Sequence, residues 1–198
     1  MINIIAISIA AIVVIVLMLQ IVMWVQKKLF KTVVYTIKKG KHYCSNLLPF
    51  IIGYNIDKLS YKVTFTESCL YDESELEFSG VNKLPGITRL LVHNNSYRWG
   101  WRSIKDENKI ELYAYTYDKG VRSIVPIIKV DINVELKLDI YIGIDRVSYA
   151  LNDYLLYSTS ELETIDDSPF SYINRVYFGG KSTAPNTMDI KIEYEYGN

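Results

Sequence analysis

From Ile4 to Val25 the chain reads IIAISIAAIVVIVLMLQIVMWV, an apolar run in which only Ser8 and Gln20 are polar. At about 1.5 Å per residue such a helix reaches roughly 33 Å, enough for the hydrocarbon core of a bilayer. The pattern then changes to period two. Tyr61, Val63 and Phe65 alternate with Lys62, Thr64 and Thr66, and Ile110, Leu112 and Ala114 alternate with Glu111, Tyr113 and Tyr115. Leu136, Leu138, Ile140 and Ile142 alternate with Lys137, Asp139 and Tyr141, and Met188, Ile190, Ile192 and Tyr194 with Asp189, Lys191, Glu193 and Glu195. Each run predicts an antiparallel strand with one face on a core and the other in water. Turn-forming residues separate the runs: Asp106 to Asn108, Asp118 to Gly120, Asn152-Asp153 and Gly179-Gly180. No sustained 3.6-residue apolar period follows the first segment. The pattern therefore predicts an all-β chain, an antiparallel β-sandwich or jelly roll, preceded by one N-terminal transmembrane α-helix. The expected divisions are an anchor over 1–26, a basic juxtamembrane stretch with the first strand over 27–41, and the β-sandwich over 42–198.

Charge sharpens this division. Residues 1–26 carry no charged side chain, whereas residues 27–41 hold six lysines and no acid. The remaining 42–198 contain 16 basic and 22 acidic residues, a net charge of −6. A mildly acidic domain without a clustered basic surface is a poor match to nucleic acid. A cleaved signal peptide would have a basic leading region, a shorter apolar core and a small-residue cleavage site, so an uncleaved anchor through residues 4–25 is expected. Trp24 and the lysines that follow suit the membrane interface, and their position predicts a β domain on the cytoplasmic side. Two cysteines, Cys44 and Cys69, do not make a disulfide framework; they are expected as buried thiols.

Asn82 to Arg122 (NKLPGITRLLVHNNSYRWGWRSIKDENKIELYAYTYDKGVR) resembles the middle of a concanavalin A-like jelly roll, and the hairpin VSYALNDYLLY fits the same rhythm. The late YFGGKSTAPNTMDIKIEYEY resembles the closing strands of polysaccharide lyases and of related uncharacterised bacterial and phage proteins. The likeness covers roughly residues 33–196. It implies a sandwich with a glycan-binding face, and in some members of the superfamily a lyase or glycoside hydrolase activity. The hydrolase pattern Glu-x-Asp-x-x-Glu on one strand is absent; the acidic runs Glu161/Glu163 with Asp166/Asp167, and Glu193/Glu195, do not reproduce it. The Arg-rich strand and Gln-Ile-His motif of the alginate lyases are absent too, and Tyr177–Lys181 keeps only an echo of their Tyr-containing strand.

Alternation puts Tyr97, Trp99 and Trp101 on one face of their strand and Arg98, Gly100 and Arg102 on the other. With neighbouring strands, Arg98, Arg102, Glu111, Tyr113, Tyr115, Tyr117, Asp139 and Tyr141 make a candidate ligand-binding groove. Its guanidinium forks and aromatic platforms suit a sugar. The same residues also suit cross-strand pairs on a solvated sheet face, with the tryptophans in the core. His93, alone among apolar neighbours, is expected to be structural rather than a general base. His42 and Cys44 share a face, yet even with Cys69 they fall short of a four-ligand zinc site, so no metal or cofactor is expected. Asn94-Asn95-Ser96 is a bare glycosylation triplet. These readings predict a non-enzymatic, membrane-anchored scaffold or interaction protein, such as an assembly or virion component. Its expected partners are the bilayer and a protein or second copy; the alternative is a carbohydrate-binding module.

Overall fold

The computed structural model describes residues 2–47, 49, 51–54, 56–77, 80–89, 93–160, 162 and 170–195. One helix, α1 (Ile2–Leu29), precedes twelve strands among these residues. In chain order the strands are β1 (Thr32–Ile37), β2 (Ile52–Tyr54), β3 (Lys58–Phe65), β4 (Asn82–Arg89), β5 (Asn95–Ile104), β6 (Lys109–Asp118), β7 (Val121–Asp131), β8 (Glu135–Ile142), β9 (Val147–Leu151), β10 (Tyr154–Ser158), β11 (Phe170–Asn174) and β12 (Met188–Tyr194). Two six-stranded antiparallel sheets form: β1-β12-β3-β8-β9-β10, sheet A, and β2-β11-β4-β5-β6-β7, sheet B. The sandwich therefore starts at Thr32, ahead of residue 42.

Period-two patterning explains the layering. Tyr61, Val63 and Phe65 of β3, Leu138 and Ile140 of β8, and Ile190 and Ile192 of β12 point inward from sheet A and are fully buried. Tyr97, Trp99 and Trp101 of β5 and Ile110 and Leu112 of β6 meet them from sheet B. The Trp101 ring packs 5.3 Å from Phe65, and Trp99 lies 5.2 Å from Tyr149 while its Nε1 donates to the Asp139 carbonyl at 3.2 Å. These contacts align the two sheets end to end.

Register then divides the sandwich into two ends. The β8–β9 turn at residues 143–146, the β6–β7 turn and the start of β11 lie at one end. The turn at residues 105–108 lies at the far end, and the 152–153 turn is level with Lys137 and so with Thr32. α1 itself has a 19-residue stretch, Ser8–Gln26, with mean hydropathy 2.7 and none of it buried. That is long and apolar enough to cross a membrane, a property shared by anchors and signal sequences.

Candidate functional site

The inward turn of Tyr97, Trp99 and Trp101 commits Ser96, Arg98, Gly100 and Arg102 to the outer face of sheet B. On β6 the same parity places Glu111, Tyr113, Tyr115 and Tyr117 on that face, and the register sets Arg98 opposite Tyr115 and Arg102 opposite Glu111. A bulge between Lys83 and Gly86 in β4 brings Lys83 opposite Gly100 and Gly86 opposite Arg98. Beyond β4, β11 adds Tyr172 and Asn174. The chain then continues to Tyr177, which exchanges backbone hydrogen bonds with Lys83 at 2.8 and 3.0 Å.

These elements enclose a groove of about 910 Å³ whose lining includes Lys83, Arg98, Arg122, Arg175 and Lys181. Tyr43, Tyr115, Tyr117, Tyr172 and Tyr177 supply its aromatic walls. Among the described residues, no aspartate or glutamate lines it. Arg98 is the buried centre, 8% exposed; one terminal nitrogen donates to the Arg175 carbonyl at 2.9 Å, and its Nε meets no acceptor among the described residues. Gly86 makes this possible: a Cβ there would stand 2.4 Å from the Tyr97 carbonyl oxygen and 2.5 Å from Arg98 Cγ. The Lys83 ammonium sits between two rings, 4.9 Å from Tyr115 and 5.2 Å from Tyr177.

Electrostatics follow from burial without a counter-charge. Desolvation, with repulsion from Arg98 and Arg122, lowers the Lys83 pKa to about 8. Desolvation likewise lowers Arg98 to about 10, which leaves it charged at neutral pH. Burial, then the hydrogen bond with Tyr117, raises Tyr115 to about 12, and burial followed by Tyr43 raises Tyr177. The phenols stay protonated, so the groove is cationic and ready to donate hydrogen bonds to an anion.

The predicted site residues divide three ways. Arg98, Tyr115 and Tyr117 line this groove. Arg102, Glu111 and Tyr113 line a smaller hollow of about 290 Å³ toward the far end of the same face. There Arg102 Nε lies 3.7 Å from Glu73, its guanidinium covers the Tyr113 ring at 5.7 Å, and the Tyr113 hydroxyl donates to Glu111. Asp139 and Tyr141 require a correction: β8 belongs to sheet A, so both project from the opposite outer face. Asp139 accepts from Ser60 and lies 3.6 Å from Lys58. The alternation of β8 was legible, but period two does not say which sheet a strand joins.

Sequence reasoning missed Lys83, Arg122, Tyr172, Arg175 and Lys181 as groove residues. Tyr172 and Asn174 alternate visibly, yet nothing local places them beside β4. His93 is exposed at the groove rim, with its ring edge-on to Tyr117 at 5.3 Å. His42 shares a hydrogen bond of 3.0 Å between its Nδ1 and the Phe178 carbonyl and stacks on Tyr177 at 5.4 Å. Cys44 and Cys69 are both buried free thiols. Among the described residues no three potential ligands are grouped to hold a metal. Glu161, Glu163, Asp166 and Asp167 lie outside the described residues. Glu193 pairs with Lys31 at 3.2 Å and Glu195 with Lys137 at 3.7 Å, both away from the groove.

No protein-family model and no curated protein matches the chain. Among solved structures it is similar to the alginate lyase Aly36B, with 14% identity and a TM-score of 0.54 over 82% of this chain and 78% of that one. A variant of Aly36B with a lysine and a tyrosine replaced by alanine, in complex with alginate tetrasaccharide, matches with a TM-score of 0.52 at 14% identity over the same shares. The laminarinase catalytic domain from Thermotoga maritima MSB8 matches at 13% identity and a TM-score of 0.52 over 84% of this chain and 78% of that one. The chain thus has the concanavalin A-like jelly-roll fold shared by these glucanases and alginate lyases.

Proposed function

We propose that this chain is a membrane-anchored carbohydrate-binding domain whose sheet B groove takes an anionic polysaccharide, with uronate carboxylates as the recognised groups. The observation that carries the reading is the pairing of Lys83 and Arg98, both buried among tyrosines, with no acid lining the groove among the described residues. A buried cation without a counter-ion costs free energy in the empty protein, and an entering carboxylate offsets that cost. Tyrosine faces add stacking surface for the apolar faces of sugar rings. An Aly36B variant in complex with alginate tetrasaccharide supports the reading in the same fold, a laminarinase shares that fold too, and the groove's cations favour the uronate.

This reverses the expected ranking of scaffold over lectin. The scaffold reading has the arginines engaged with Glu111 or Asp139, or covered by a loop or a partner chain. Arg102 meets Glu73, but Arg98 meets a carbonyl. The lysines of residues 27–41 still favour a cytoplasmic domain, a statistical bias on insertion, and protease accessibility in intact cells reports the side. Among the described residues, two-carboxylate hydrolysis has no acid in this groove to use. A second reading, uronate β-elimination, is favoured by Lys83, whose pKa of about 8 leaves part of it neutral beside two protonated tyrosines. In that reaction a base takes the proton next to the carboxylate, a carbon–carbon double bond forms, and the glycosidic oxygen leaves with a proton.

Calorimetry with the full chain in detergent micelles tests the proposal against alginate, polygalacturonate and the neutral glucan laminarin. Binding is expected to the two polyuronates only, to weaken with salt, and to vanish in a Lys83→Met/Arg98→Met variant. Equal affinity for laminarin, or unchanged binding by the double variant, would overturn it. Ultraviolet absorbance of an unsaturated product separates elimination from binding alone.

A further inference from the structure

The fold divides the basic stretch over 27–41. Lys27, Lys28 and Lys31 precede β1, whereas Lys38, Lys39 and Lys41 follow it, about 20 Å further along the extended chain. The second set lies on one turn. The Lys41 amide donates to the Lys38 carbonyl at 3.0 Å, and Gly40 takes a φ of 75° at the turn's third position. Neighbouring segments hold that turn in place: the Gly40 amide donates to the Ala184 carbonyl at 2.8 Å, and the Lys39 amide to Thr187 Oγ1 at 3.2 Å. All three lysines are exposed. None enters an ion pair among the described residues, unlike Lys31, Lys58, Lys62, Lys109, Lys129 and Lys137.

This turn adjoins one end of the groove. The groove crosses the strands, from Arg122 on β7 over Tyr115 of β6 and Arg98 of β5 to Lys83 of β4. Beyond Lys83 the ladder goes on through single bridges, Lys83 to Tyr177 and Tyr177 to Tyr43. Five interstrand spacings from β7 to Tyr43 make about 24 Å. Tyr43, 73% exposed, sets its ring edge-on to Tyr177 at 5.1 Å, and Lys41 lies two residues before it. The backbone of Lys41 and His42 also carries the loop of Lys181. At one foot of that loop the Phe178 amide donates to the His42 carbonyl at 2.8 Å, and at the other the Ala184 amide donates to the Lys41 carbonyl at 3.1 Å. Lys181, which lines the groove, therefore rises from the foot of the lysine turn.

Resting on the reading of the groove as a polyuronate site, we propose that the turn of Lys38, Lys39 and Lys41 is an outer anion site. It takes the length of polymer that emerges past Tyr43, so the domain prefers long polyuronates to short ones. Each exposed lysine alone contributes little, because water and salt screen it. A polymer already held in the groove presents its next carboxylates to the turn at a high effective concentration, and the weak contacts then act together. Their field also speeds the approach of a polyanion at low salt. Anionic lipid would meet the same ammonium groups, but the place of the turn beside Tyr43 and Lys181 favours the polymer.

Calorimetry of the full chain in detergent micelles tests this with tetragalacturonate, too short to extend past the groove, and with long-chain polygalacturonate. The variant Lys38→Gln/Lys39→Gln/Lys41→Gln is compared with wild type and with Lys58→Gln/Lys62→Gln/Lys137→Gln, which removes the same charge from sheet A. The turn variant is expected to bind the polymer severalfold more weakly and with less salt dependence. Its affinity for tetragalacturonate and its melting temperature should match wild type. Equal weakening for both ligands, equal weakening by the sheet A variant, or unchanged affinity for the polymer would overturn the outer site. Loss of binding to phosphatidylglycerol vesicles, with polymer binding intact, would give the turn to lipid instead. Wild type that binds neither ligand, or the polymer without tetragalacturonate, refutes the groove reading and the outer site with it.

Discussion

The outer faces of the two sheets are built from the same alternation and end as different surfaces. On sheet A, Lys62 meets Glu135 at 3.0 Å, Lys137 meets Asp153 at 2.6 Å, Lys31 meets Glu193, and Thr36 donates to Asp189 at 2.6 Å. Opposite charges sit on adjacent strands and neutralise one another at the surface, where each pair contributes little. On sheet B, Lys83 and Arg98 lie among tyrosines and the backbone of residues 175–177, and the groove lining holds no carboxylate among the described residues. A strand's period says only that a side chain points away from the core. Whether that side chain is solvated or held in a groove depends on what the neighbouring strands bring.

Three experiments probe this contrast. The largest effect is expected at Trp99, which supports both faces from the core they share. Trp99→Ala should cost about 3–5 kcal/mol and lower the melting temperature by roughly 6–20 °C, read by circular dichroism. An unchanged melt with lost ligand binding would place the indole on the groove side and erase the distinction between inner and outer residues.

Next in size is the contrast between two outward cations. Arg98→Met should weaken polyuronate binding by about 1.5–3 kcal/mol while leaving the melting temperature unchanged or higher, since it removes a buried charge without a counter-ion. Lys62→Met on sheet A should leave both nearly unchanged, because its pair with Glu135 is solvent-screened. If the two variants behave alike in calorimetry and melting, the faces are equivalent and the groove is not a site.

The smallest effect is a dependence on pH. Lys83 titrates near 8 in the fold rather than near 10.5, so the unfolded chain holds a proton that the fold releases between those values. Stability of the empty protein should therefore rise modestly as pH climbs from about 8 toward 10.5. Affinity for a polyanion should fall over the same range, as Lys83 loses its charge, and binding should take up a proton near pH 8. Calorimetry in buffers of different ionisation enthalpy counts that proton. Affinity indifferent to pH across this window would remove Lys83 from the site.

The apolar span of α1, the inward residues of β3, β6, β8 and β12, and the burial of Trp99 and Trp101 could all be read from the chain alone. Each is a local property: a run of apolar residues, or a period of two that turns one set of side chains toward the core. The parity of Arg98, Arg102, Tyr113, Tyr115 and Tyr117 was legible for the same reason. Tertiary structure decided which of these outward residues share a groove. It separated Arg102 and Tyr113 from Arg98, sent Asp139 and Tyr141 to the opposite sheet, and brought Lys83 against Tyr177 and Arg98 against Arg175. These partners are far apart in the chain and meet only through the order of strands in the sheet, which the core's interdigitation and the backbone ladder select together.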